Sequence, residues 1–215
     1  RRALKADPDH SRAHNNLALA LLELGNFTEA LRHLQQSAQL EPRCEVFADL
    51  GLLQDQLGRE DLARESYEKA FALGDICPQP RMNLASMLME DGAYEEAVLH
   101  YRKAVAIKPG AQAYTGLGFA LDQLGQSDEA TAAHESAVAL DPQLEQAHRN
   151  LALNHARKNQ LEKAVVSYQR AIALNPRVST YYSLAGVLRA LGREKEAEIE
   201  YDNARALSKR QPQAS

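Results

Sequence analysis

Several features that would assign a function at once are missing from this sequence. Its 215 residues include no tryptophan and two cysteines, Cys44 and Cys77, too few for a disulfide framework in a chain of this size. No apolar run is long enough to span a bilayer, so we expect no membrane insertion. The formal net charge of -4 offers no general positive field for phosphate backbones, so we also expect no nucleic-acid partner.

Motifs for bound nucleotides and for zinc fingers are missing as well. The chain begins with Arg1 and carries no signal-peptide pattern, so its compartment is unknown, although two cysteines mildly favour a reducing, cytoplasmic one. With 45% apolar and 25% charged residues, the composition is that of a folded chain, neither disordered nor embedded in a membrane. Function therefore has to be sought in the arrangement of the residues.

What the sequence does contain is an internal repeat of 33 or 34 residues. Its most visible marker is a glycine, replaced once by Asn159: Gly25, Gly58, Gly92, Gly125 and Gly192. Five residues after each marker stands an alanine: Ala30, Ala63, Ala97, Ala130, Ala164 and Ala197. Eight residues before each marker stands a leucine: Leu17, Leu50, Leu84, Leu117, Leu151 and Leu184. This register defines six units, which begin near residues 11, 44, 78, 111, 145 and 178.

Each unit predicts two helices when its positions are numbered with the leucine at 7, the glycine at 15 and the alanine at 20. Apolar residues at positions 4, 7, 11 and 14 follow the helical period and predict a first helix. The glycine at 15 allows the left-handed conformation that ends this helix, and asparagine is its usual substitute. Positions 17 to 30 predict a second helix, which a proline at position 32 stops in four units.

Small residues occupy positions 8, 20 and 27 of every unit, and position 24 is tyrosine in four of them. Small side chains let helix backbones approach closely where larger ones would overpack. From residue 11 to about residue 207 the pattern resembles the tetratricopeptide repeat family. The resemblance implies an all-α fold, an α-solenoid whose antiparallel helix pairs stack into a right-handed superhelix. It also implies that the first helices line the concave side of that superhelix.

Under this resemblance the chain has three parts. Residues 1–10 match the end of a preceding repeat, with Ala3 at position 27 and Pro8 at position 32. Residues 11–210 form six repeats, and residues 211–215 are a tail. Neither end supplies a capping helix, so we expect apolar surface on the terminal helices and self-association through them.

Histidines stand out in the segment AHRNLALNHA, where His148 and His155 share one predicted helix face. A metal site needs three or four converging ligands, and residues seven apart on a helix are separated by about 10.5 Å. His148 and His155 occupy positions 4 and 11, and His134 occupies position 24, which are mostly apolar or aromatic in the other units. We therefore interpret them as packing residues and expect no metal, no cofactor and no catalytic group.

Position 6 carries an asparagine in alternate units, at Asn16, Asn83 and Asn150. Position 6 lies outside the apolar positions 4, 7, 11 and 14 of the first helix. A side-chain amide there can hydrogen-bond the main chain of an extended peptide whatever the sequence of that peptide. The row resembles the asparagine ladder in the tetratricopeptide superhelix of O-GlcNAc transferase. The alternative interpretation is that these amides cap or bridge neighbouring backbone, and the sequence leaves both open.

The same part of the first helix, positions 2, 5, 6, 9, 12 and 13, carries apolar and charged residues. Apolar side chains at position 9 either pack between adjacent first helices or contact a ligand. The residues predicted to make apolar contacts with a ligand are Leu52, Phe119 and Leu153. The charges are acidic in the first four units and basic in the last two, which would orient a bound segment unless they are scattered by chance. The residues predicted to bind an acidic portion are Arg149, Arg157 and Arg189.

These observations favour a non-enzymatic protein-interaction scaffold, which binds a peptide segment of a partner protein in the concave groove. Two alternatives stay open. One is the substrate-recognition arm of a larger enzyme such as a glycosyltransferase, and the other is a self-assembling adaptor of a multiprotein complex. Because the same fold serves many unrelated partners, the sequence does not name one.

Overall fold

The structure is a computed structural model that describes residues 2–74 and 76–210. Over these residues the chain forms helices and short turns and no strand, which confirms the all-α prediction. None of the helices in these ranges is long and apolar enough to cross a membrane. The predicted tail at residues 211–215 and the side chain of Ala3 lie outside the described residues.

A short helix, α1 (Arg2–Ala6), precedes six helix pairs. The first helices of the pairs are α2 (Ser11–Glu23), α4 (Cys44–Gln56), α6 (Pro78–Glu90), α8 (Ala111–Gln123), α10 (Glu145–Arg157) and α12 (Val178–Ala190). The second helices are α3 (Phe27–Leu40), α5 (Glu60–Ala72), α7 (Tyr94–Ile107), α9 (Ser127–Leu140), α11 (Leu161–Leu174) and α13 (Glu194–Arg210).

The chain divides into two compact units, Arg1–Pro109 and Gly110–Ser215, and each holds three helix pairs. In the first unit the two helices of each pair pack against each other. The first pair contacts the second through α3 and α4, and the second contacts the third because both α4 and α5 pack against α6. In the second unit α9 packs against α10, and α11 packs against α12. Each unit is therefore a stack of helix hairpins, as expected of a solenoid.

The turn inside each pair depends on a left-handed residue at position 15. Gly25 has a φ of 73°, its N–H donates to the Leu22 carbonyl at 2.9 Å, and the Asn26 N–H donates to the Leu21 carbonyl at 2.8 Å. This is the Schellman arrangement, which satisfies the last carbonyls of a helix. Asn159 has a φ of 57° in the equivalent turn, which confirms that it substitutes for glycine there.

The small positions are where helix backbones meet. Side chains at positions 20 and 27 are fully buried in all six pairs: Ala30, Ser37, Ala63, Ala70, Ala97, Ala104, Ala130, Ala137, Ala164, Ala171, Ala197 and Ala204. A methyl or hydroxymethyl group fills each contact without separating the helices. The burial of all twelve side chains agrees with the predicted close packing of the helices at these positions.

Position 8 faces position 24 of the same pair. A Cβ built on Gly51 in α4 would lie 2.5 Å from a ring carbon of Tyr67, and one built on Gly118 in α8 would lie 2.5 Å from a ring carbon of His134. Both rings are completely buried. Glycine is needed in these two helices because the rings occupy the space of its missing side chain.

The histidines predicted to be packing residues, His134, His148 and His155, are buried. His148 Nε2 lies 3.0 Å from the Pro142 carbonyl oxygen, and His155 Nδ1 lies 2.8 Å from the side-chain oxygen of Gln160. Within the described part of the chain, no three His, Cys, Asp or Glu side chains are placed to hold a metal ion. The burial of these three side chains agrees with the packing interpretation.

The two cysteines are joined by a disulfide that the cysteine count did not predict. Cys44 opens α4 and Cys77 is the N-cap of α6, so the bond links two successive pairs of the first unit. Their Cα atoms are 6.3 Å apart, within the usual range of about 4.4–6.8 Å. The repeat explains the pairing, because a separation of 33 residues places both at nearly equivalent points of neighbouring first helices.

We predict opposite effects for two glycine-to-alanine substitutions. Gly51→Ala should lower the free energy of unfolding by about 1–3 kcal/mol, because its methyl group overpacks the Tyr67 ring. Gly186→Ala, in α12, should raise it by about 0.5–1 kcal/mol, because its Cβ meets nothing within 4 Å. Urea denaturation measures both changes. Combining Gly51→Ala with Tyr67→Leu, which copies the Ala18 and Leu34 pair of the first repeat, should recover most of the loss.

Equal destabilisation by the two alanines would contradict this explanation of position 8.

Opening the disulfide should lower the free energy of unfolding of the first unit by about 3–4 kcal/mol, because a loop of this length gains that much chain entropy when it is released. Urea denaturation with and without a reductant measures the difference. The doubly substituted variant Cys44→Ser/Cys77→Ser is the control, since its stability should not respond to the reductant. A wild-type midpoint that stays the same under reducing conditions would rule out a stabilising bond.

Candidate functional site

Positions 2, 5, 6, 9, 12 and 13 of each first helix form what we call the first-helix face. Its apolar residues at position 9 are partly exposed: Leu19 by 40%, Leu52 by 39%, Phe119 by 48% and Leu153 by 41%. Core residues of the same helices, such as Leu21 and Leu53, are almost completely buried. The residues predicted to make apolar contacts therefore lie at the surface, within reach of a ligand.

A pocket of about 530 Å³ lies between α2 and α4 on the first-helix face of the first unit. Its walls are mainly apolar: Leu19, Leu22, Phe27, Leu52 and Leu53, with Asp49 and Gln56 as the polar members. Phe27 is the first residue of α3 and is 44% exposed. The pocket therefore joins two of the position 9 leucines into one concave apolar surface.

The first-helix face of this unit is acidic. It carries Glu23, Glu45, Asp49, Asp55 and Glu90, and Arg12 is the basic residue at position 2 of α2. Among the described residues no ion pair engages any of these five carboxylates. Burial, and then repulsion by Glu45, raise the pKa of Asp49. Negative charge is therefore concentrated on this face, and none of the five carboxylates is ion-paired within the described residues.

The three predicted asparagines are not equally accessible. Asn16 is exposed, Asn83 is half-buried and Asn150 is buried. Asn83 Oδ1 accepts a hydrogen bond from the Gln79 side chain at 2.8 Å, and its buried Nδ2 has no acceptor in the described part of the chain. The Tyr67 hydroxyl lies beside this amide, yet no hydrogen bond of ordinary geometry joins the two groups. Asn83 therefore has its oxygen engaged by Gln79 and its nitrogen buried in the described structure.

Two weakly exposed carboxylates of the second unit, Asp122 and Glu145, lie beside cations of the same unit. Asp122, with a side chain only 6% exposed, lies 3.2 Å from His134 Nε2 and 3.7 Å from the Arg157 guanidinium. Glu145, with a side chain 10% exposed, lies 3.3 Å from Arg149 and 3.4 Å from Arg177. These two carboxylates were not predicted as partners of the arginines. The spacing of four residues between Glu145 and Arg149 was the sequence signal for one of the pairs.

The arginines predicted to bind an acidic segment thus have acidic neighbours already. Arg149 and Arg157 lie near Glu145 and Asp122, and Arg189 is 3.8 Å from Glu194. Their side chains are still 36%, 52% and 60% exposed, respectively. An incoming carboxylate would have to share them with these internal partners.

Asn154, in α10, is a buried amide that sequence reasoning did not single out. Its side chain is completely buried, and neither its oxygen nor its nitrogen has a hydrogen-bond partner among the described residues. It occupies position 10, which is apolar in every other unit: Ala20, Leu53, Met87, Ala120 and Val187. A buried amide without partners costs free energy, and its departure from the repeat was the signal that could have found it.

Profiles of the tetratricopeptide repeat match residues 1–43, 48–112, 111–144 and 145–178. The chain is 28% identical to Protein O-mannosyl-transferase TMTC3 of Homo sapiens over 180 residues, 76% of this chain and 20% of that protein. It is 28% identical to the peroxisomal targeting signal receptor of Eremothecium gossypii over 156 residues, 70% of this chain and 27% of that receptor. The chain therefore spans about a quarter or less of the length of these curated relatives.

A shorter match, 32% identical over 104 residues, is to the type IV pilus assembly protein PilF of Pseudomonas aeruginosa, covering 47% of this chain and 41% of that protein. Among solved structures, that of Pseudomonas aeruginosa PilF has a TM-score of 0.82 at 18% identity, covering 95% of this chain and 93% of its own. The crystal structure of MamA has a TM-score of 0.70 at 23% identity, covering 75% of this chain and 95% of its own. These structural likenesses concern the fold alone.

We predict that Asn154→Val raises the free energy of unfolding by about 1–2 kcal/mol, because it removes an unpaired buried amide and restores the side chain that Val187 provides in the next repeat. Urea denaturation measures the change. Asn203→Val, at an exposed site on α13, is the matched control and should change stability by less than about 0.5 kcal/mol. Destabilisation by Asn154→Val would mean that the amide has a partner in solution.

Proposed function

Since this chain belongs to the tetratricopeptide repeat family, we propose that it is a non-enzymatic scaffold that binds a peptide segment of a partner protein along its first-helix faces. The observation that carries the proposal is the pocket between α2 and α4, which two of the half-exposed apolar residues at position 9, Leu19 and Leu52, share. Exposed apolar side chains gathered in a concave surface are typical of binding sites, whereas scattered ones are ordinary surface.

The proposed roles follow from the chemistry of each group. Leu52, Phe119 and Leu153 provide apolar contacts, each within its own unit. Asn16, Asn83 and Asn150 hold the peptide main chain, because a side-chain amide both donates and accepts hydrogen bonds. Arg149, Arg157 and Arg189 meet an acidic portion of the partner. Of the amides, Asn16 and Asn83 should contribute most, because Asn150 is buried.

The names of relatives are consistent with a role in binding proteins. One relative is a targeting signal receptor, and another is a pilus assembly protein. The match to Protein O-mannosyl-transferase TMTC3 supports a second candidate function, in which the repeats form the substrate-recognition arm of a larger glycosyltransferase. Self-association through the terminal helices, as in a self-assembling adaptor, stays a further prediction. Sedimentation velocity over a range of concentrations would distinguish it from binding by a monomer.

Measuring peptide affinity tests the proposed hydrogen bonds from the asparagines to the peptide main chain. Peptides selected from a random library on the whole chain are labelled, and their affinity is measured by fluorescence polarisation. Combining Asn16→Ala with Asn83→Ala should weaken binding about tenfold, because each lost hydrogen bond is worth about 0.5–1.5 kcal/mol. Asn203→Ala, on the second helix α13, should leave the affinity unchanged. Unchanged affinity in the double variant, at unchanged helicity, would remove the asparagines from the site.

A further inference from the structure

We propose that the pocket between α2 and α4 receives an apolar side chain from an extended partner segment that carries lysine or arginine beside that side chain. The inference rests on the proposed function, because it names the partner chemistry of one part of the same first-helix face. It concerns the first unit alone, since every wall of the pocket belongs to α2, α3 or α4.

The apolar half of the proposal comes from the shape and lining of the pocket. Its volume of about 530 Å³ is within the range of about 300–1,000 Å³ that ligand sites occupy. Leu19 and Leu52 stand at equivalent positions of neighbouring helices and are each about two-fifths exposed. A leucine, isoleucine, methionine or phenylalanine side chain would cover the exposed parts of both, which removes apolar surface from water.

The basic half comes from the charges around the pocket. Asp49 forms part of its wall, and Glu45 precedes Asp49 by one helical turn. Asp55 follows Leu52 by three residues, and Glu23 follows Leu19 by four, so both lie on the same face as the pocket. With Glu90, the first-helix face of this unit carries five carboxylates and one cation, Arg12. A basic segment complements this surface, whereas an acidic one would be repelled.

The contrast with the second unit strengthens the choice of a basic partner. There the side chains of Asp122 and Glu145 are 6% and 10% exposed, and they lie beside arginine or histidine side chains of their own unit. The carboxylates around the pocket have no such partners among the described residues. Burial and repulsion by Glu45 raise the pKa of Asp49, and both effects oppose its negative charge, which a nearby cation would stabilise. A lysine or arginine of the partner would supply that cation.

Selection from a random peptide library tests the proposal on the whole chain. The library is selected in parallel on the wild type and on Leu52→Gln, a substitution at a partly exposed site that should not disturb the core. Peptides that are enriched on the wild type alone should carry a large apolar residue next to lysine or arginine. The best of them is then synthesised, together with a version in which glutamate replaces each basic residue.

Affinities measured by fluorescence polarisation give the quantitative test. Leu52→Gln should weaken binding about tenfold, and Asp49→Asn about three- to fivefold, with the smaller effect expected of a partly exposed charge. The glutamate peptide should bind at least tenfold more weakly than the basic one. Two matched controls lie on α5 of the same repeat: Leu62→Gln, at a site 44% exposed, and Glu68→Gln should leave the affinity unchanged.

The remaining outcomes overturn the inference in distinguishable ways. Enriched peptides that are acidic, or that bind Leu52→Gln as well as the wild type, would reject the basic-apolar partner and leave the scaffold function standing. A library that yields no binder to the chain would reject both. Equal losses from the α5 controls and the pocket variants would show that folding, and not the pocket, sets the affinity.

Discussion

The close approach of helix backbones at three small positions is the constraint on which the rest of the structure depends. Alanine or serine at positions 20 and 27 is fully buried in every pair, and position 8 lies under the side chain at position 24. Where that side chain reaches the backbone of the first helix, as Tyr67 and His134 do, only glycine fits. The buried small positions therefore hold each pair together. The first-helix face is largely free of these contacts, although Asp122 and Arg189 on that face lie beside His134 and Glu194 of their own pairs.

The first-helix face differs between the two units, each considered by itself. In the first unit it combines a pocket with unpaired carboxylates, of which Asp49 forms part of the pocket wall. In the second unit the carboxylates of Asp122 and Glu145 are almost completely buried beside cations of the same unit. The first pattern leaves negative charge available to a partner. In the second pattern the carboxylates lie beside arginines of the same unit, so these arginines are only partly available to bind an acidic partner.

The sequence predicted the fold well because the constraint repeats six times, so each small position was seen in several copies. It even placed Asn159 in a glycine turn, where φ is 57°. It predicted less of the site, because pockets and ion pairs depend on how neighbouring repeats meet. The disulfide between Cys44 and Cys77, the buried amide of Asn154 and the pairing of Asp122 each occur once. Because the repeat pattern was defined by the residues that recur, these single departures become visible only when each position is compared across all six units.

The central claim is that ligands bind to the first helices and not to the second. The most direct measurement is a set of intermolecular nuclear Overhauser effects between a selected peptide and the leucine methyl groups of the whole chain. The proposed function predicts contacts from the peptide to Leu19 and Leu52, on α2 and α4. Contacts to Leu62 and Leu99, which are exposed on the second helices α5 and α7, would contradict it.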